Sequence, residues 1–145
     1  MKTVKIILFG ALLCITGSCS KHKSGFPIEE TTHNQAYDFK IVENYQDALK
    51  AEIVDTANRS KESYKNYYAQ NVDYLFSMGG GCFTPKVDEL SAVQSNDTIK
   101  IYWKRKYWKP CPSTGKHSPV SAKIIINRQL HSNYKKMVFI QIDDN

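Results

Sequence analysis

The chain has 145 residues, of which 41% are hydrophobic and 23% charged, with four cysteines and a formal net charge of +6. That length is the size of one domain, so one folded core is expected. A basic excess of this size does not by itself select a partner.

Lys2 and Lys5 precede an apolar run from Ile6 to Ile15, which the small residues Thr16-Gly17-Ser18 follow. A run of about ten residues is half of what a membrane-spanning helix requires, so residues 1–18 are expected to be a secretory signal and not an anchor. Cys19 directly follows the small residues, and this arrangement resembles a bacterial lipobox, with Thr16 in place of the usual Leu and Ile15 one position earlier. The resemblance implies that Cys19 is lipidated and becomes the first residue of the mature chain. Acyl chains that each bury many methylenes, at roughly 0.8 kcal/mol apiece, would hold such a protein on a membrane without a spanning helix. The alternative is ordinary cleavage near Ser18 or Ser20 and a soluble product. Cys19 to Asn145 is 127 residues, and loss of Lys2 and Lys5 leaves a net charge of +4. Export to the periplasm, the outer membrane or the cell surface argues against nucleic acid as a partner. Acidic glycans, lipid head groups or acidic proteins fit better.

Residues 19–34 read as the lipidated cysteine and a flexible tether, because "SKHKSGFPIEETTHN" is polar and aperiodic, and Pro27 argues against a strand there. Residues 35–145 are expected to be a single domain. Tyr37 to Val42 is a short strand candidate. Asn44 is placed to cap a helix, with Asp47 at the third helical position, and Tyr45, Leu49, Ile53 and Ala57 at steps of four predict a helix over 45–57. Tyr64, Tyr67 and Tyr68 continue the helical spacing and read as core packing in preference to a ligand cage. Val72, Tyr74, Phe76 and Met78 alternate as a strand that Gly79-Gly80-Gly81-Cys82 ends. A weaker strand over 87–93, a turn at Ser95-Asn96-Asp97, a strand from Thr98 to Trp108, and a final hairpin of 121–129 with 134–142 complete the reading. The expected fold class is α+β: one N-terminal helix packed on an antiparallel β-sandwich or open barrel of about five strands.

Cys82 and Cys111 are the cysteines left in the folded part, and an oxidising compartment predicts a disulfide between them. It would close a loop of about thirty residues, worth roughly 3 to 4 kcal/mol in the chain-entropy model. No C-x-x-C, H-E-x-x-H, G-x-S-x-G or Walker pattern is present, so the sequence gives no catalytic, metal or cofactor site and points away from an enzyme. Asp55-Thr56-Ala57 and Asp97-Thr98-Ile99 resemble the Asp-Thr-apolar signature of bacterial O-glycosylation. Thr98, beside a turn, is the expected accessible one, and Thr56 is expected to be helical.

The stretch "KIYWKRKYWKPCP" repeats Tyr-Trp-Lys at a spacing of five, an odd number, so the two copies face opposite sides of a strand. Ile99, Ile101 and Trp103 form the natural core side. Tyr102, Lys104, Lys106 and Trp108 form an outward row whose rings and ammonium groups suit an acidic glycan or protein. The bland alternative is an edge strand guarded by lysines.

From Val72 onward, the Gly79 to Cys82 turn, Cys111-Pro112, Ser118-Pro119 and the two final strands resemble small exported bacterial lipoproteins with a disulfide-tied β-domain. The chain is distantly similar to the domains of lipoproteins that stabilise secreted protease complexes. The resemblance implies a non-enzymatic, lipid-anchored envelope protein that acts as a binding or accessory module. The alternative is an inhibitor of a secreted hydrolase, using the loop from Gly79 to Lys86 or from Pro110 to Pro119.

Overall fold

The computed structural model describes residues 24–33, 35–104 and 118–143. These residues are mostly β, with seven strands and two short α-helices. In chain order they are β1 (Ile28–Glu30), β2 (Lys40–Val42), α1 (Tyr45–Lys50), α2 (Lys61–Gln70), β3 (Asn71–Met78), β4 (Ser91–Ser95), β5 (Thr98–Trp103), β6 (Val120–Asn127) and β7 (Val138–Asp143). One sheet is antiparallel and ordered β1-β6-β3-β2. The other is mixed and ordered β4-β5-β7, with β5 and β7 parallel.

Side-chain alternation decides where the core lies. Val72, Tyr74 and Phe76 of β3 stand opposite Ile126, Ile124 and Ala122 of β6, so one face of this pair is wholly apolar. These residues join Ala92 of β4 and Ile99 and Ile101 of β5 in a single buried cluster to which both sheets contribute. On its other face β3 carries Leu75, which packs with Val42, Ala48, Ala51, Tyr64 and Tyr68 beneath the helices. Burial on both faces makes β3 the spine of the molecule. Burying a side chain such as Phe76 or Leu75 completely contributes about 1.5–3 kcal/mol each.

Asn44 caps α1 as its sequence position predicts: its Oδ1 accepts from the Asp47 backbone N–H at 3.0 Å, and the Asp47 carboxylate accepts in return from the Glu43 N–H at 3.3 Å. The helix nonetheless stops at Lys50, short of the expected Ala57. Glu52 turns left-handed at φ 56°, its N–H bonds the Leu49 carbonyl, and the Ile53 N–H reaches back to Ala48. This is a Schellman closure with glutamate where glycine is usual. The expected apolar stripe therefore fails at Leu49, which is 40% exposed, and Ala48 is the buried residue instead. Ser60 caps α2 through a bond from the Ser63 N–H, and Tyr64 and Tyr68 are buried on it, as core packing requires.

Four further expectations are corrected. The tether over 19–34 contains structure, because β1 pairs with β6 and Phe26 and His33 are buried. Pro27 is accommodated because β1 is an edge strand and the proline carbonyl accepts from the Ile125 N–H at 3.1 Å. The strand expected over 87–93 is a 3-10 turn at Val87–Glu89 followed by β4. The final two strands do not form a hairpin: β6 lies between β1 and β3, while β7 crosses to the other sheet beside β5. Both edges of β6 are already paired, with β1 and β3, so β7 has no place there. Thr56 lies exposed in the turn before α2, whereas Thr98 opens β5 half-buried, which reverses their expected accessibility.

Candidate functional site on the outer face of the three-stranded sheet

β5 alternates as its sequence predicts. Ile99 and Ile101 are fully buried, Trp103 packs on the core and stacks on Phe83 at 6.1 Å between ring centroids, and Lys100 and Tyr102 point the other way. The edge-strand alternative for this segment is overturned. β4 pairs with one side of β5 and β7 with the other, so the row of Thr98, Lys100 and Tyr102 runs down the middle of a sheet face.

That face has an apolar side which the sequence did not disclose. The parallel register sets Val138, Ile140 and Ile142 beside Thr98, Lys100 and Tyr102. Val138 is 55% exposed and Ile140 38%. Val93 of β4 stands opposite Lys100 on the same surface. A contiguous strip of branched side chains is thereby placed next to a half-buried tyrosine and the exposed Lys104 just beyond the strand. Lys106 and Trp108, the other two residues of the expected row, lie outside the described residues. The alternation in "MVFIQI" marked a strand, but only its transfer to the second sheet decides which of its faces is wet.

A polar cluster around a fully buried carboxylate lies elsewhere, between α2 and the four-stranded sheet. The carboxylate of Asp73 is fully buried and accepts from the hydroxyls of Tyr67 at 2.5 Å and Tyr68 at 3.0 Å, and from the ammonium of Lys123 at 3.2 Å. Lys123 also meets Glu29 at 3.4 Å and sits over the Tyr67 ring. Burial, reinforced by the negative charge of Asp73, pushes both phenols far above their ordinary range. Both phenols stay protonated and donate to the Asp73 carboxylate. A second cluster joins the sheets. Tyr134 donates to Glu43 at 2.7 Å, which holds the Glu43 carboxyl below its usual range against the opposing effect of burial, and Arg128 donates to the Tyr134 hydroxyl at 2.9 Å. Tyr74 beside it is pushed up to about 12 by burial first and by Glu43 second. His33 is buried against Thr31 and Ser77, and burial lowers its imidazole pKa.

Two open grooves accompany these clusters. One, of about 890 Å³, runs between β1 and the segment Thr84 to Asp88. The other, of about 500 Å³, is lined by Phe39, Ile41, Tyr74, Met137 and Phe139, with Glu43 and Lys135 at its rim. Among the described residues no group of three His, Cys, Asp or Glu side chains is placed to hold a metal, and no helix is long and apolar enough to cross a membrane. Cys82 is exposed in the turn after β3. Cys111, its expected partner, lies outside the described residues, as does Cys19. No protein family, curated protein or solved structure matches the chain, so a functional reading rests on these residues alone.

Proposed function

We propose that this is a lipid-anchored, non-enzymatic protein of the bacterial envelope whose outer sheet face binds an acidic protein. The observation that carries the reading is the strip of Val138 and Ile140, both exposed, alongside Lys100 and Tyr102 in the register of β5 and β7. Apolar area supplies the free energy of association, and the lysines select partners by charge. An acidic glycan, the other candidate, would use the aromatic and basic groups but leave the branched aliphatic strip uncovered. In the finer architecture we propose, the two sheets are the layers of a sandwich, which their shared core cluster supports. Pairing of Cys82 with Cys111 would tie the turn after β3 to the chain beyond β5.

The hydrolase-inhibitor reading draws on one specific feature. The turn Gly79 to Thr84 is exposed at Gly79, Gly81 and Cys82 yet pinned, with the Gly80 N–H bonded to the Phe83 carbonyl at 3.0 Å and the Thr84 hydroxyl donating to the Ser118 carbonyl at 2.7 Å. A preorganised loop of that kind is what an inhibitor presents.

Tyr102→Ala is expected to lose capture of acidic envelope proteins from detergent extract while the thermal midpoint shifts little. Capture retained by the variant, or a wild-type protein that retains acidic polysaccharide and no protein, overturns the reading. The anchor is tested separately. A fatty-acid label is expected on the wild-type chain and lost in Cys19→Ser; a label that survives the substitution removes the anchor.

A further inference from the structure

We propose that the chain pairs with a second copy of itself through β7, antiparallel and centred on Ile140, to join the two three-stranded sheets into one of six strands. Among the described residues β7 is an edge strand, bonded to β5 alone. The Val138 N–H bonds the Asp97 carbonyl at 2.8 Å, so in a parallel ladder the backbone groups of residues 138, 140 and 142 face β5, and those of Phe139 and Gln141 face outward. Among the described residues, no backbone of another segment bonds Phe139 or Gln141 on that side. The opposite margin of the same sheet is covered. On β4, the Ala92 carbonyl accepts from the Gly25 N–H at 2.7 Å and the Ala92 N–H donates to the Ser24 hydroxyl at 3.1 Å.

Natural sheets guard open margins with lysine, proline or a bulge. β7 carries none of these from Val138 to Ile142, and its charges stand only at the two ends, with Lys136 and the Glu43-paired Lys135 before the strand and Asp143 closing it. That order is self-complementary. An antiparallel copy brings the basic end of one chain alongside the acidic end of the other, whereas a parallel copy would set like charges side by side. The apolar face selects the register. With Ile140 opposite its own copy, Val138 meets Ile142 of the second chain, and every exposed branched residue finds another. Sliding by one step of the ladder sets Ile142 against Lys136 in one direction and carries Val138 past the end of the strand in the other. Phe139 of β7 also lines the groove of Phe39 and Ile41, beside which the paired strand would lie.

Ile140→Cys in the full chain, extracted in mild detergent and treated with a mild oxidant, places two sulfurs across the dyad. Directly opposed residues of an antiparallel pair are about 4.5–5.5 Å apart at Cα, within disulfide range. The expected result is a reducible band at twice the chain mass for Ile140→Cys and none for the wild type or for Leu130→Cys, which is 79% exposed in the turn after β6. Ile140→Lys, which sets two ammonium groups at the dyad, is expected to abolish the dimer in sedimentation equilibrium, while Tyr102→Ala keeps it. The last variant separates this proposal from the partner face described above. Absence of the Ile140→Cys band, an equal band from Leu130→Cys, or a cross-link to a protein of another mass overturns self-pairing.

Discussion

Asp73→Ala is expected to lower the stability of the domain by about 3–5 kcal/mol, enough to leave a marginally stable domain of this size largely unfolded. The carboxylate has no exposed surface and three donors, so its removal strands the buried phenol of Tyr68, the half-buried phenol of Tyr67 and an ammonium whose side chain is 13% exposed. Each buried donor left without an acceptor costs about 1–3 kcal/mol, more for a charged one. Lys123 retains Glu29 at 3.4 Å, but that glutamate is 58% exposed and compensates weakly. Equilibrium urea unfolding of the variant measures the loss. The double variant Tyr67→Phe with Tyr68→Phe separates the contributions: it removes donors and leaves the Asp73–Lys123 pair, so it is expected to cost clearly less than Asp73→Ala. A cost for Asp73→Ala below 1 kcal/mol would mean that the cluster opens to water in solution.

Asp73 also shows what the sequence could and could not disclose. In "NVDYLFSM" the alternation of Val72, Tyr74, Phe76 and Met78 identified the inner face of β3, and the structure buries all four. The same alternation would leave Asp73 wet. It is dry because α2 folds back over that face, and the tyrosines that satisfy it lie five and six residues away on that helix. Alternation reports that a strand has two faces; it is silent on what covers the second. The capping of α1 by Asn44 was legible for a local reason, since the bond to Asp47 spans three residues. The end of α1 was not, because Glu52 adopts the left-handed conformation without the glycine that would mark it. β7 was legible as a strand and illegible in its place. "HSN" resembles a hairpin turn, yet the strand it leads to belongs to the other sheet, because β6 is bonded along both sides. For the candidate site, Tyr102 and Lys104 could be found from alternation alone, but the aliphatic half of the face depended on that long-range pairing.

Gly79→Ala is expected to be the second most damaging single change, costing roughly 3 kcal/mol from backbone strain and steric overlap together. The residue ends β3 at φ 81°, where a side chain is already unfavourable. A Cβ there would lie 2.8 Å from Cδ of Pro85 and 3.0 Å from both the Phe83 carbonyl oxygen and the Thr84 Cα. Two of these three neighbours are backbone, and the third belongs to a buried proline ring, so none can step aside cheaply. Gly81 supplies the matched comparison, since its φ of 68° is equally left-handed but an added Cβ meets nothing within 4 Å. Gly81→Ala is therefore expected to cost only the conformational part, about 1–2 kcal/mol. The difference between the two variants in thermal or urea unfolding isolates the steric part. Equal costs would show that the chain from Gly79 to Pro85 yields in solution, and a yielding turn could not present the preorganised loop that the inhibitor reading requires.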